Sequence, residues 1–483
     1  MSEEPSVAHV LISASHKSSG KTTVSVGLAA AFAGRGLDVQ TFKKGPDYID
    51  PMWLTRASGR PCYNLDFNTQ TGSEIREMFA SRSTGAGISV IEGNMGLHDG
   101  VDEEGADSTA ALARLVGAPV VLVIDCEGMT RGVAPLVLGF TAFDKGIRIA
   151  GVILNRVATA RQEAKLIGAI ERYTDIPILG ALRRSTDMTI VERHLGLTTP
   201  SETDGIMGKI ALLGSTMRDH IDLDRLLEIA RTANPVGPYR QTSAPLGPRG
   251  DVTIAVARDE AFGFYYADDL QALERAGAQL VSFSPISDST LPKADGIFIG
   301  GGFPETHMAA LEANGTMRSD IRRAAGRGVP IYAECGGLMY LARTIRWGEQ
   351  QRQMAGVIAA DVVMHDRPQG RGLVELEPTG TCPWSAATDT PSRIKAHEFH
   401  HAELINVSTE AEFAWRVVRG YGIDGQRDGI VVGSVTASFA HQRSTSTNRW
   451  TDRFVGFVRR VKQQRAARTA TRPVAIAPHT GTM

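Results

Sequence analysis

The feature that most constrains this chain is a recurrence of short, almost wholly apolar runs separated by helical patterns. In the first half these runs are AHVLISA, GISVIEG, APVVLVIDC and IRIAGVILN, rich in Val and Ile and flanked by turn residues. Runs of this length and composition read as strands, and unbroken apolarity means that both of their faces are covered. The helical segments between them, beginning with TTVSVGLAAAFAGRG, supply the cover. The pattern stops between Ala233 and Asp251, ANPVGPYRQTSAPLGPRGD, where prolines and glycines mark a boundary. It restarts with VTIAVA, GIFIGGG and VPIYAECGG. The expectation is an α/β protein of two domains, 1–233 and 251–463, joined by a linker at 234–250. Residues 464–483 lack periodicity and read as a disordered tail. A chain of 483 residues also exceeds what one core ordinarily serves.

Composition narrows the function classes. Against 52 Lys and Arg stand 53 Asp and Glu, a net charge of −1. That balance argues against a general nucleic-acid binder, which carries a basic excess. Four cysteines, Cys62, Cys126, Cys335 and Cys382, lie far apart with no CxxC pair, which argues against a disulfide framework or a structural zinc. The N-terminal MSEEPSVAHVLISAS has acids where a signal peptide needs bases, and no run is long enough to span a bilayer. A cytoplasmic protein without a membrane partner is expected.

The first apolar run leads into ASHKSSGKTT. Gly20, Lys21 and Thr22 follow a strand and open a helix, the context of a phosphate-binding loop, although Ser15 replaces the usual first glycine. Backbone N–H groups from Ser18 to Thr23 can hold phosphate oxygens, Lys21 can reach the terminal phosphates, and Thr22 can ligate Mg²⁺. The alternative is a Ser/Gly-rich turn that happens to precede a helix. Acids after later strands favour the nucleotide site: Asp47 and Asp50 in KKGPDYIDP, Glu92 and Asp99 in VIEGNMGLHDG. Open parallel sheets bind ligands at the C-terminal ends of their strands, and Mg²⁺ prefers carboxylate and phosphate oxygens.

The second half offers a nucleophile. In IYAECGGLMYLA an apolar strand runs through Cys335 into a helix, so the thiol sits on a sharp turn at a helix N-terminus, which favours its thiolate. Gly301 and Gly302 in FIGGGFPE, with Gly336 after the cysteine, can offer backbone donors to an oxyanion. His441 follows a strand-like run and can serve as base. The competing reading of Cys335 is a small buried hydrophobe. His397, His400 and His401 in KAHEFHHAE carry no cysteine partner of zinc type, and a structural or substrate-facing role is expected for them.

SSGKTTV, FKKGPDYIDP, YNLDF, VIEGNMGLHDG, GVILNRV, ERHLGL, AFGFYY, ADGIFIGGGFPETH, AECGGLMYL and AHEFHHAEL occur in this order over nearly the whole chain. Together they resemble the cobyrinic acid or hydrogenobyrinic acid a,c-diamide synthase family, with its siroheme-amidating branch. The resemblance implies a P-loop domain similar to dethiobiotin synthetase, followed by a class I glutamine amidotransferase domain of triad type. It implies ATP, Mg²⁺ and L-glutamine, and a tetrapyrrole whose a- and c-acetate side chains become amides. By that resemblance Lys21 and Thr22 hold the triphosphate and metal, with Glu92 and Asp47 at the same ion. Tyr48 and Ile49 contact substrate, Asp50 and Asp99 serve the synthetase reaction, and Asn155 contacts adenine. Cys335 and His441 form the glutaminase pair. The family's His-Leu-His is here His441-Gln442-Arg443, and no acid stands two residues after the histidine, so another group must orient the base. The segment MHDRPQGRGLVELEPTG, Met364 to Gly380, looks more like the siroheme branch, and nickel sirohydrochlorin is a third candidate ring. A regulatory P-loop ATPase with an inactive amidotransferase-like domain is the rival from another class. Oligomeric state is not readable, and a homodimer is compatible with all of this.

Overall fold

The computed structural model describes residues 7–190, 192–193, 196–200, 205–236, 250–385 and 390–470. The chain divides into two compact units, Met1–Ser243 and Ala244–Met483. Most of the expected linker (237–249), the end of the expected tail (471–483), and His194 and Leu195 of ERHLGL lie outside the described residues.

The first unit is built on β1 (His9–Ala14), β2 (Val39–Lys44), β3 (Tyr63–Leu65), β4 (Ile88–Glu92), β5 (Val120–Asp125), β6 (Ile149–Val157) and β7 (Ile178–Arg183). These form one parallel sheet in the order β3-β2-β4-β1-β5-β6-β7. β1 lies between β4 and β5, so the loop after it opens near the middle of the sheet's C-terminal edge, where such sheets bind ligands. The buried apolar runs are the ones legible in the sequence. β2, VQTFKK, is equally buried although four of its six residues are polar. Gln40 is accommodated there because its Nε2 donates to the carbonyls of Thr41 and Pro61. Helix α1 (Lys21–Gly34) starts directly after Gly20, whose φ of 89° suits a residue without Cβ. Helix α2 (Ile49–Ser58) starts under Asp47, whose Oδ1 accepts from the N–H groups of Ile49 and Asp50 at 2.9 and 3.1 Å.

The second unit carries a nine-stranded sheet. In spatial order its strands are Ala278–Phe283, Val252–Ala257, Gly296–Ile299, Ile331–Glu334, Val435–Ser438, Arg427–Val432, Glu412–Arg419, Gly370–Pro378 and Ile394–His400. The first five are mutually parallel and the last four are added antiparallel. Under this sheet Phe298, Tyr332, Trp384, Trp450 and Phe454 pack ring against ring, with Tyr332 and Trp450 centroids 5.0 Å apart. Such pairs add about 0.5–1.5 kcal/mol each beyond the area they bury, and here they fix Tyr332 within the strand Ile331–Glu334 that leads to Cys335. The terminal helix Trp450–Ala470 runs past residue 463, where the sequence suggested a tail. Trp450, Phe454, Val455 and Val458 anchor it, Arg459 pairs with Asp251, and Lys462 pairs with Asp295 at 2.9 Å. Beyond Lys462 the helix has no apolar stripe, which is why periodicity fails to reveal it.

Candidate active sites

In the first unit the phosphate loop is closed by its own hydrogen bonds and held from β6. Ser18 takes a φ of 62°, Ser19 Oγ donates to the His16 carbonyl at 2.8 Å, and Lys21 Nζ reaches the same carbonyl at 3.5 Å. Asn155, on β6, donates from Nδ2 to the Ser19 carbonyl at 2.9 Å. A Cβ on Gly20 would lie 2.3 Å from that same Nδ2, so glycine is required by close approach as well as by φ. Thr23 follows in the first turn of α1.

The acids converge beside this loop. Thr22 Oγ1 donates to Glu92 Oε1 at 2.7 Å and lies 3.3 Å from Asp50 Oδ2. Lys43, at the end of β2, bridges the same two carboxylates at 2.5 Å (Asp50) and 2.9 Å (Glu92), and donates to the Gly93 carbonyl. The acid that meets Thr22 and Glu92 is therefore Asp50, while the Oδ1 of Asp47, expected at the metal, is engaged by the first N–H groups of α2. Burial pushes Glu92 up to about 7 even though Lys43 opposes it. Burial and then the Asp50 charge push Asp47 up to about 6. Burial acts the same way on Asp50, but Lys43 outweighs it and holds that carboxyl below the usual range. Burial, followed by the nearby Lys43, lowers Lys21 to about 8. Tyr48 and Ile49 are buried at the start of α2. Asp99 lies exposed in the loop after β4, its Oδ2 accepting from Gly96 N–H and its charge acting on Lys21.

In the second unit Cys335 adopts φ 48° and ψ −105° between its strand and a six-residue helix. This strained conformation turns the side chain out of the regular backbone at the strand-to-helix junction. The residue is 6% exposed, with Sγ 4.0 Å from the Phe399 carbonyl. Gly301, Gly302 and Gly336 surround it: a Cβ on Gly336 would lie 3.0 Å from Gly302 N, and one on Gly301 would lie 2.5 Å from His441 Cε1. His441 is bonded to the Cys335 side chain. Burial opposes a charge on its ring, but Cys335 and Glu334 outweigh it and push the imidazole up to about 10. Glu334 Oε2 stands 3.4 Å from His441 Nδ1.

The remaining histidines are placed around this pair. His397 exchanges backbone hydrogen bonds with His441, and burial followed by the His441 charge brings it down to about 3. His400 stacks on Phe439 at 3.9 Å and bonds the Ala402 carbonyl, while His401 bonds the His365 carbonyl. Arg443 is buried, its guanidinium 3.0 Å from Asp268 and over the Tyr266 ring. All four cysteines are free.

Residues 11–197 match the CobQ/CobB/MinD/ParA nucleotide binding domain, and residues 253–448 match the CobB/CobQ-like glutamine amidotransferase domain. The chain is 45% identical to a cobyrinate a,c-diamide synthase of Magnetococcus marinus over 449 residues, covering 92% of this chain and 96% of that one. It is 40% identical to the Methanosarcina acetivorans protein of the same name, over 91% of this chain and 93% of that one. The chain belongs to the cobyrinate a,c-diamide synthase family. It thus carries the nucleotide-binding and amidotransferase domains of that family, each on its own α/β sheet. Among the described residues no helix is long and apolar enough to cross a membrane.

Two residues at these family sites do not stand out in the sequence. Lys43 lies in a mostly polar strand that hides it, and the only signal is a lysine at a strand end just before Gly-Pro-Asp. Glu334 reads as part of the apolar strand that runs into Cys335.

Proposed function

We propose that this protein amidates the a- and c-acetate carboxylates of cobyrinate, using ATP to activate each carboxylate and glutamine as the nitrogen source. The observation that carries the reading is the presence in one chain of a strained Cys335 bonded to His441 and a phosphate loop whose Thr22 meets buried acids. In the second unit Cys335 Sγ attacks the side-chain carbonyl of glutamine, and the backbone around Gly301, Gly302 and Gly336 receives the oxyanion. His441 gives its proton to the departing ammonia, and water then releases glutamate from the thioester. In the first unit a ring carboxylate takes the terminal phosphoryl group of ATP and ADP leaves. Ammonia displaces phosphate from the acyl phosphate, a better leaving group than oxide.

A hard divalent cation fits the first site. Thr22 offers a hydroxyl, Asp50 and Glu92 offer carboxylates, and Glu92 Oε2 is buried with no hydrogen-bond partner among the described residues. Mg²⁺ held there, with Asp47 nearby, would neutralise phosphate charge. Lys21 and the loop N–H groups orient the phosphates, and Asn155 fixes the loop and stands where adenine would be read.

The names of the relatives support cobyrinate as the ring. Within the segment that suggested siroheme, Gly370–Pro378 forms a strand hydrogen-bonded on both edges in the amidotransferase sheet, while His365 before it bonds Glu403 at 2.8 Å. The test is incubation with ATP, Mg²⁺ and glutamine against cobyrinate, hydrogenobyrinate, siroheme and nickel sirohydrochlorin, read by mass spectrometry. A double amidation of cobyrinate supports the reading; amidation of siroheme alone replaces the substrate. Cys335→Ala should lose glutamine use and retain ammonia-dependent synthesis, and a variant that still hydrolyses glutamine overturns the nucleophile.

A further inference from the structure

A Cys–His pair needs a third group to hold the imidazole in one tautomer and orientation. The position two residues beyond the histidine does not supply it here. Arg443 is a cation committed to Asp268, and Gln442 turns its Nε2 to the Tyr332 hydroxyl at 3.1 Å. Glu334, on the other hand, directs one carboxylate oxygen to each of two tasks. Its Oε1 accepts from the Tyr332 hydroxyl at 2.7 Å and from the Gln442 N–H at 3.0 Å. Its Oε2 lies 3.4 Å from His441 Nδ1. Asn448 closes the chain by donating to Gln442 Oε1 at 3.2 Å.

We infer that Glu334, the residue immediately before the nucleophile, is the positioning carboxylate of the glutaminase, held by Tyr332 and Gln442 against His441. Base and nucleophile are thereby oriented from one strand end, and Gln442 serves as a backbone and side-chain support where a triad acid is absent. The carboxylate is buried, so its charge acts on the imidazolium with little screening. The titratable groups facing His441 are Cys335 and Glu334 on the elbow and His397 on the adjacent strand. His397 stays neutral around pH 7, leaving Glu334 as the one carboxylate among them.

The inference rests on Cys335 and His441 being the glutaminase pair, and Cys335→Ala tests that separately. If that variant loses glutamine hydrolysis while the Glu334 variants behave as wild type, only the present inference fails. Glu334→Gln keeps the shape and removes the charge. Its expected effects are a fall in glutaminase kcat of about 10²- to 10⁴-fold, with KM for glutamine within about threefold. The basic limb of the pH profile should move down by about one to three units, because the imidazolium loses its counter-charge. Alkylation of Cys335 by iodoacetamide at pH 6, followed by peptide mass spectrometry, should slow about tenfold. A structural role alone would lower the unfolding temperature without moving the pH limb. A folded Glu334→Gln with kcat within threefold of wild type and an unmoved limb overturns the inference. If Glu334→Gln does not fold, Tyr332→Phe is read instead. It frees Oε1 and should lower glutaminase kcat about fivefold with a smaller shift in the same direction; an unchanged kcat and limb overturn the inference.

Discussion

Glu92→Gln separates stability from activity in the first unit. Glu92 is fully buried at the end of β4, and burial lifts its carboxyl from 4.5 to about 7. The folded state therefore binds a proton that the unfolded chain has already released between these two values. Stability from this group is fully present below pH 4.5 and is lost as pH rises through 7, amounting to about 3 kcal/mol over the window. Glutamine does not titrate, so the variant lacks this slope. It also leaves Lys43 with Asp50 at 2.5 Å and the Gly93 carbonyl at 3.2 Å, so the lysine is not orphaned. The expected result is a protein no less stable than wild type at pH 8 and relatively less so at pH 5. Amidation should fall by at least about 10²-fold with either glutamine or ammonia, because the cation proposed beside the phosphates would lose a carboxylate ligand. Thermal unfolding of both proteins from pH 4.5 to 8 checks the first part, and mass spectrometry of the diamide with ammonium salts checks the second. A difference in unfolding temperature that does not vary with pH refutes the burial argument. Ammonia-dependent activity within threefold of wild type refutes the role of Glu92.

Gly301→Ala places a Cβ 2.5 Å from His441 Cε1 and must displace the imidazole by about 1 Å, a misplacement worth about 100-fold in glutaminase rate; steady-state glutamine hydrolysis measures it. Arg443→Ala leaves Asp268 buried without its cation and should destabilise the second unit by about 3–5 kcal/mol. In calorimetry that is a fall of roughly 6–20 °C in this unit's transition, and an unchanged transition would show that the pair contributes nothing.

The parallel cores of both units were legible because their strands are short, largely apolar runs flanked by turn residues, as in β1, β5 and the strand Val252–Ala257. The phosphate loop and the cysteine elbow were legible because Gly-Lys-Thr and Cys-Gly-Gly must follow a strand to work. β2 was not, since Gln40 and Lys43 are buried with partners on other segments. Nor were the antiparallel strands of the second sheet: in EFAWRVVR of Glu412–Arg419, polar and apolar residues mix without strict alternation.

The order of residues by itself determined which chemistry the chain can attempt: a phosphate loop, acids after strands, and a thiol on a tight turn. Only the tertiary structure decided which carboxylate serves which cation. Asp47 and Asp50 are three residues apart, yet helix α2 turns one onto backbone N–H groups and the other onto Lys43 and Thr22. The same holds for Glu334 and His441, 107 positions apart in sequence and joined only because their strands are neighbours in one sheet. Coulomb and hydrogen-bond energies fall off over a few ångströms, so charge pairing is settled by spatial register rather than by sequence spacing.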